Sequence, residues 1–178
     1  MTASRSPRLI GVTGWKNAGK TTLVERLVAE FVRRGWRVAT IKHAHHDADM
    51  DRPGTDSYRH RAAGAAEVAL VGGRRYAIMH EGPEPTLAEV LKRLAPCDLV
   101  LVEGYKREPH RKIEVHRAAN GKPLLFPDDP CIVGIASDIP VETRLPVAHL
   151  DDIPAIAALL RRSAISLDDV LSMSAVEG

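Results

Sequence analysis

The sequence has few cysteines and few aromatic residues. Cys97 and Cys131 are the two cysteines of a 178-residue chain, and they form neither a CxxC motif nor a disulfide framework. Each adjoins an apolar run, so we expect both to be buried structural thiols. Aromatic residues make up 4% of the chain and hydrophobic residues 44%. The core must therefore consist mainly of Val, Leu, Ile and Ala, and a chain of this length can fold without disulfide or zinc support.

The sequence also lacks a strong charge of one sign and a long apolar run. Lys and Arg number 25 against 23 Asp and Glu, which gives a formal net charge of +2. A dedicated nucleic-acid-binding protein normally has a strongly basic face, so this class is disfavoured. The first apolar run is broken by Gly11 and Gly14, and it is too short for a signal-peptide core or a membrane span. We expect a cytoplasmic protein with neither nucleic acid nor membrane as a partner.

Short apolar runs alternate with helical patterns along much of the chain. The predicted strands are short and rich in apolar residues, and they cover residues 9–12, 37–42, 67–71, 76–79, 99–102 and 132–135. The predicted helices have apolar residues at helical spacing or a capping Asp, and they cover residues 20–34, 56–63, 87–94 and 153–160. This alternation predicts an α/β fold with a mostly parallel sheet and helices on both faces.

Two further features concern the organisation of the chain. Gly72-Gly73 separates two of the predicted strands, which indicates an added β-hairpin. Residues 1–162 are expected to form one domain. Residues 163–178 are mostly small and polar, so we expect a loosely attached C-terminal tail.

A phosphate-binding motif lies between the first predicted strand and the first predicted helix. Residues 14–21 match the pattern GxxxxGK[ST], in which glycines let backbone N–H groups converge on phosphate oxygens at a helix N-terminus. We expect Lys20 to reach the β- and γ-phosphates and to act in catalysis, while the Thr21 hydroxyl binds Mg²⁺. The fold class is therefore of the P-loop NTPase type. The residues predicted to contact the nucleotide are Gly14, Trp15, Lys16, Asn17, Ala18, Gly19, Lys20, Thr21 and Thr22.

A second metal ligand should come from a neighbouring strand. Asp98 and Glu103 bracket the apolar run 99–102, and they lie too far apart to bind one Mg²⁺ together. Ligands of open α/β sheets gather at the carboxyl ends of the strands. Because Glu103 is at that end, we predict Glu103 as the second metal-binding residue, with Asp98 capping the strand or facing solvent.

The polar loop from His43 to Asp51 admits three interpretations. His45, His46, Asp47 and Asp49 could bind a transition metal, although no regular ligand spacing supports this. Asp47 and Asp49 could instead help to organise Mg²⁺ or an attacking water, which makes them candidate catalytic residues. The loop could also be a solvated polar segment.

Four segments together resemble the family of molybdopterin-guanine dinucleotide biosynthesis protein B. They occur in order within about residues 8–117 and read GWKNAGKTTL, IKHAHHDADMD, PGTDSYRHRAAGA and LVLVEGYK. The resemblance implies a GTP-binding protein with Mg²⁺, at most a slow GTPase. It further implies an accessory role beside a guanylyltransferase that joins GMP to molybdopterin, which is itself a candidate ligand. It also implies a homodimer with an extended sheet, for which the Gly72-Gly73 hairpin is the candidate pairing element.

The resemblance also bears on individual residues. It places Gly14, Asn17, Gly19, Lys20, Thr21 and Thr22 in the triphosphate cradle and Glu103 near Mg²⁺. ATPases of this class carry a second lysine that acts across the dimer, but Trp15 occupies that position here. We therefore assign no lysine that acts across the dimer.

The residue that reads the nucleobase is not identified by a standard motif. The pattern [NT]KxD is absent, and Asn120-Gly121-Lys122-Pro123 does not satisfy it. Asp138 follows the predicted strand CIVGIAS and is our candidate for accepting hydrogen bonds from guanine. A turn or cap aspartate before Pro140 is the alternative.

Other functions remain open on the sequence alone. A small-molecule kinase or a dethiobiotin-synthetase-like ligase with a P-loop would need an acceptor site and a base, which Asp47 or Asp49 could supply. A binding module could use the nucleotide only as a switch. Basic residues that follow Glu103, among them Lys106 and Arg107, could hold a substrate phosphate, molybdopterin or an acidic partner, or could form a solvated face.

Overall fold

The structure, a computed structural model, describes residues 6–44 and 51–174. The contacts among these residues divide them into two compact units, of which one lies within the ranges 1–43 and 87–178 and the other within the range 44–86. In chain order the strands are β1 (Arg8–Thr13), β2 (Val38–Lys42), β3 (Glu67–Val71), β4 (Tyr76–His80), β5 (Leu99–Glu103), β6 (Lys112–His116), β7 (Ile132–Ser137), β8 (Val147–His149) and β9 (Ile165–Ser166). The helices are α1 (Lys20–Arg33), α2 (Asp56–Ala62), α3 (Leu87–Arg93), α4 (Ile153–Ser163) and α5 (Leu167–Ser174), with a 3₁₀ turn over Ala118–Asn120.

The larger unit is built on a mostly parallel sheet with the strand order β2-β5-β1-β6-β7-β8. The central strand β1 pairs along its length with β5, every residue of which is buried. On its other side β1 pairs with β6 through its last three residues, while β9 runs antiparallel beside Arg8 and Leu9. The α/β fold class predicted from the sequence is therefore confirmed, and β1 ends at the middle of the sheet.

Two apolar clusters cover the two faces of this sheet. Alternate residues of one strand enter different clusters, so that Leu99 and Leu101 of β5 face one way and Val100 and Val102 the other. The first cluster contains buried side chains of α1 and α4, which are Leu23, Val24, Leu27, Phe31, Ile153, Ile156, Ala157, Leu159 and Leu160. The second contains Leu87 and Leu91 of α3 and Val170 of α5. Helices thus pack on both faces, as the strand and helix alternation predicts.

The C-terminal segment differs from the loosely attached tail expected over residues 163–178. Its described part, residues 163–174, contains β9, which pairs with β1, and α5, whose Val170 is 3% exposed. Leu167, Val170 and Leu171 recur at helical spacing and all join the second cluster. The physical reason for the difference is that these three side chains supply enough apolar surface to pack one short helix onto the sheet.

The smaller unit contains α2 and an antiparallel hairpin. The Thr55 hydroxyl caps α2 by accepting a hydrogen bond from the Tyr58 N–H. Strands β3 and β4 pair from Glu67 opposite His80 to Val71 opposite Tyr76, which confirms the predicted hairpin. The hairpin exposes large apolar side chains, which are Leu70, Val71, Tyr76 and Ile78.

The two cysteines form no disulfide bond. Cys97 and Cys131 are both free and are half-buried rather than fully buried as expected. Burial raises the pKa of the Cys97 thiol, and neighbouring Asp98 adds to that effect.

Among the helices of the described residues, none combines the length and the apolar character that a bilayer crossing requires.

A buried histidine lies just before β6. His110 is 1% exposed, and a Cβ atom placed on Gly11 would stand 2.5 Å from its Nε2 atom. Within residues 6–44 and 51–174, neither imidazole nitrogen of His110 has a hydrogen-bond partner. Burial, followed by the neighbouring Lys112 ammonium, lowers the pKa of His110 from 6.5 to about 4, and Asp129 opposes this shift.

We expect the free energy of unfolding to decrease as the pH falls from 6.5 to about 4. In this pH range His110 is protonated in the unfolded chain but stays mostly neutral in the folded protein. Above pH 6.5 no stability is lost in this way. The total decrease in the free energy of unfolding, reached below about pH 4, is at most about 3 kcal/mol. Urea unfolding of the wild type and of His110→Leu at about pH 7 and about pH 4.5 measures it. The decrease should be smaller in the variant, and equal decreases in both proteins would contradict the assignment.

Candidate functional site

The phosphate loop connects β1 to α1 at the centre of the sheet. Gly14, Asn17 and Gly19 have positive φ angles of 145°, 65° and 94°, which turn the backbone sharply between the two elements. Helix α1 begins at Lys20 with Gly19 as its N-cap residue, so it has no side-chain cap, and its first turn contains no acidic residue. Its N–H groups and the positive end of its dipole are therefore not neutralised by a side chain of the helix, which suits a bound phosphate.

The ammonium group of Lys20 lies across this loop. Its Nζ donates a hydrogen bond to the Trp15 carbonyl oxygen over 2.8 Å. Burial, followed by the positive charge of Lys106, lowers the pKa of Lys20, and Glu103 partly opposes the shift. The lysine is thus held where the loop closes, in a region with an excess of positive charge. A phosphate chain would relieve that excess.

Thr21 and Glu103, the two predicted metal ligands, are brought together. The Thr21 hydroxyl donates to Oε1 of Glu103 over 2.9 Å, and Glu103 is 8% exposed at the carboxyl end of β5. Asp98 lies at the other end of that strand, where it accepts a hydrogen bond from the Arg37 N–H over 2.7 Å. A hydroxyl and a carboxylate oxygen in contact beside a phosphate loop fit the ligand chemistry of Mg²⁺.

Two basic residues of this region were not singled out from the sequence. Lys42 ends β2 opposite Glu103, with its Nζ 3.6 Å from Oε1 of Glu103 and 3.3 Å from the Thr21 hydroxyl. Arg117 follows β6, and a Cβ on Gly19 would lie 3.4 Å from its Nη2. The available signal was positional, because Lys42 stands directly at the carboxyl end of a predicted parallel strand.

The loop that follows β6 holds the tip of the phosphate loop. The Asn120 side-chain amide donates to the Lys16 carbonyl oxygen over 2.9 Å, and the Trp15 indole donates to the Pro123 carbonyl oxygen over 2.7 Å. Asp138, the candidate for base recognition, is half-buried after β7 and accepts a hydrogen bond from the Ala118 N–H over 2.8 Å. One carboxylate oxygen of Asp138 is therefore already engaged in ordering this loop.

The acidic loop after β2 is only partly described. Asp47 and Asp49, with His45 and His46, lie outside the described residues. Before them, the ring of His43 packs against Tyr105 with 4.6 Å between ring centroids, and the His43 N–H donates to the Glu103 carbonyl oxygen. In the part of the chain that the structure describes, no group of three or more His, Cys, Asp or Glu residues could hold a metal ion.

The central strand leads into a phosphate loop, and a threonine and a carboxylate are in contact beside this loop at the carboxyl end of the sheet. These features define an α/β protein of the P-loop NTPase type. The family model described as MobB, Molybdopterin guanine dinucleotide synthesis protein B, matches residues 9–138. The chain belongs to this family.

Individual relatives agree with this assignment. The chain is 42% identical to a molybdopterin-guanine dinucleotide biosynthesis adapter protein of Haemophilus influenzae, over 84% of this chain and 85% of that protein. It is 37% identical to the Escherichia coli K12 protein of the same name, over 84% and 89% of the two chains. The crystal structure of a MobB homolog from Bacillus stearothermophilus superposes with a TM-score of 0.64 at 32% identity, covering 86% of this chain and 98% of that one. Bacillus subtilis MobB, at 24% identity and a TM-score of 0.69 over 89% and 98% of the chains, shares the fold.

Proposed function

We propose that this protein is a GTP-binding adapter that assists a guanylyltransferase in attaching GMP to molybdopterin. Its relatives from Haemophilus influenzae and Escherichia coli carry the name of adapter proteins in molybdopterin-guanine dinucleotide biosynthesis. The observation that carries the proposal is the uncapped N-terminus of α1 beside Lys20, with Thr21 and Glu103 in contact. This arrangement supports a bound nucleoside triphosphate with its cation.

Different groups at the loop would bind the phosphates and the cation. Backbone N–H groups of residues 14–22 would surround the phosphates, and Lys20 would exchange the Trp15 carbonyl oxygen for a phosphate oxygen. Thr21 and Glu103 would hold Mg²⁺, which when bound neutralises negative charge on the phosphates. Lys42, within 3.6 Å of Glu103, would contribute one more positive charge at the same end of the sheet.

Hydrolysis and assembly belong to the same proposal. We expect GTP hydrolysis to be slow, with Asp47 and Asp49 orienting the attacking water. If the Asn variants at both positions have unchanged turnover, these two residues are excluded from catalysis.

We also expect the protein to form a homodimer, since the hairpin exposes Leu70, Val71 and two further large apolar side chains. We expect this dimer to be cytoplasmic. A monomeric mass in sedimentation velocity would contradict the dimer.

The test of the proposed function combines capture with turnover. The tagged protein loaded with a non-hydrolysable GTP analogue should retain a molybdenum cofactor guanylyltransferase from a native extract, and GDP-loaded protein should retain less. Rapid GTP-dependent phosphorylation or ligation of a small acceptor, without any captured transferase, would support the kinase or ligase alternative instead. Absence of GTP binding in the isolated protein would exclude the proposal.

Asp138→Asn tests the source of guanine selectivity. If Asp138 accepts hydrogen bonds from the guanine N–H groups, the variant should bind GTP at least about tenfold more weakly and should gain affinity for XTP. Competition by GTP, XTP and ATP against a fluorescent analogue measures the three affinities. Equal weakening for all three nucleotides would mean that Asp138 only orders the Ala118 N–H, with which it forms a 2.8 Å hydrogen bond.

A further inference from the structure

We propose that Trp15, Lys106 and Lys122 form a second anion-binding site, beside the triphosphate cradle, that takes the phosphate monoester of a small-molecule co-substrate. The inference rests on the proposed function, because a second ligand next to the phosphate loop has a role only if the loop binds nucleotide. Under that function the candidate ligand is the phosphate group of molybdopterin. The three residues are called the tryptophan–lysine site below.

Two ammonium groups from separate loops each lie over the same indole ring. Nζ of Lys106 lies over the Trp15 ring at 5.0 Å from its centroid, and Nζ of Lys122 lies over it at 5.9 Å. Both distances are within the range of a cation–π interaction, which holds a cation against the ring without neutralising its charge. The ring itself is oriented, because its N–H donates to the Pro123 carbonyl oxygen over 2.7 Å.

The loop that carries Lys122 is fixed at several points. Glu114 is fully buried, and its carboxylate accepts hydrogen bonds from the N–H groups of Leu125 and Phe126 over 2.8 and 3.0 Å. The Asn120 amide donates to the Lys16 carbonyl oxygen at the start of the same loop. Lys122 therefore lies on a segment that is anchored on both sides, as a preformed binding site requires.

The charge of the region exceeds what one nucleotide needs. Across the described ranges, neither Lys106 nor Lys122 has a carboxylate within ion-pair distance, and the same holds for Lys16 on the loop tip. Lys20 and Lys42 stand beside the phosphate loop, where Glu103 is their acidic neighbour. Gathering further like charges costs electrostatic energy that a bound anion offsets.

The kind of anion follows from its position and from the charge. The Trp15 carbonyl oxygen accepts a hydrogen bond from Lys20, so the tryptophan–lysine site directly adjoins the lysine that reaches for the phosphates. A phosphate monoester carries about two negative charges at neutral pH, which matches the charge of the two ammonium groups. Single carboxylates of an acidic peptide would satisfy the same two lysines less well.

Trp15 fluorescence offers a direct test. In a Trp36→Phe background Trp15 is the only tryptophan, since the chain contains two. The protein is loaded with a saturating non-hydrolysable GTP analogue and Mg²⁺, and neopterin monophosphate is titrated as the probe. We expect a saturable change in fluorescence, an affinity at least about tenfold weaker in the Lys106→Ala/Lys122→Ala double variant, and no response to unphosphorylated neopterin.

A matched control removes two exposed positive charges elsewhere. Lys92→Ala/Arg93→Ala on α3 lowers the net charge equally and should leave the probe affinity unchanged within about twofold. The GTP analogue should bind the Lys92→Ala/Arg93→Ala variant as it binds the parent protein. It should bind the Lys106→Ala/Lys122→Ala variant only modestly more weakly, because Lys106 adds positive charge near Lys20. If Trp36→Phe does not fold, isothermal titration calorimetry of the same probe with proteins that retain Trp36 replaces the fluorescence measurement.

Several results would overturn the site, and the first four concern binding of the probe and of the analogue. These are equal probe affinity in the Lys106→Ala/Lys122→Ala variant, equal binding of unphosphorylated neopterin, exclusion of the probe by the GTP analogue, and loss of analogue binding in that variant. Loss of transferase capture by the variant, with no probe binding to the parent, would identify a protein-docking surface and would also overturn the proposal. A parent protein that fails to bind the GTP analogue refutes the proposed function itself. A parent that binds the analogue but not the probe refutes only the tryptophan–lysine site.

Discussion

Replacing Lys20 by alanine is expected to weaken GTP binding by about 100- to 1000-fold, or about 3–4 kcal/mol. The ammonium group lies over the loop, 2.8 Å from the Trp15 carbonyl oxygen, and burial together with Lys106 lowers its pKa. A positively charged group in such a setting gains most from an anion that replaces its neutral partner. Isothermal titration calorimetry with GTP and Mg²⁺ measures the loss.

Two comparisons separate a binding defect from a folding defect. Lys20→Arg keeps the charge but replaces a compact ammonium with a larger planar group, so that we expect an intermediate affinity. The stability of Lys20→Ala without nucleotide should not decrease, because the variant removes a partly buried charge. Unchanged GTP affinity in Lys20→Ala would refute the assignment of the loop as the triphosphate site.

The phosphate loop was predictable because its chemistry is local in sequence. Gly14, Gly19 and Lys20 lie within one short segment, and the flanking strand and helix follow from their apolar patterns. The pairing of Thr21 with Glu103 was also within reach, since parallel strands end at the same edge of a sheet. These features need only the local pattern and one rule of α/β topology.

Strand β6 was missed because it contains buried charges. Lys112 is 1% exposed and donates to the Glu108 carbonyl oxygen, while Glu114 is fully buried and accepts from two backbone N–H groups. Burial raises the pKa of the Glu114 carboxyl, although both hydrogen bonds act against that shift. Partners for such charges are supplied by loops that fold back onto the strand, and no local pattern indicates them. Strands β8 and β9 have three and two residues, which is too short for a period to be recognised.

The tryptophan–lysine site could not be predicted from the sequence, for a related reason. Lys106 was noted as part of a basic segment, but Lys122 and Pro123 are more than 100 residues from Trp15 in the chain. Their meeting depends on the anchoring of their loop by Glu114, which itself depends on β6. A feature that rests on an unpredicted strand could not be predicted either.

Gly14→Ala is expected to destabilise the protein by about 3–5 kcal/mol, since it combines two separate costs. Gly14 has a φ of 145°, which side-chain-bearing residues rarely adopt. Its added Cβ would lie 2.5 Å from the carbonyl oxygen of Val115, a backbone atom of β6. That strand pairs with β1 up to Thr13, so the clash cannot be relieved without shifting the centre of the sheet. The midpoint of urea unfolding measures the loss of stability.

Gly73→Ala is the matched control for this substitution. Gly73 has no positive φ, and a Cβ placed there would meet no atom of the described residues within 4 Å. The same added methyl group should therefore change the free energy of unfolding by less than about 1 kcal/mol. If Gly14→Ala unfolds at the same urea concentration as Gly73→Ala, the contact of the phosphate loop with β6 is not as close as the structure has it. Where Gly14→Ala still folds, GTP binding should weaken as well, because the shifted loop can no longer aim its N–H groups at one phosphate.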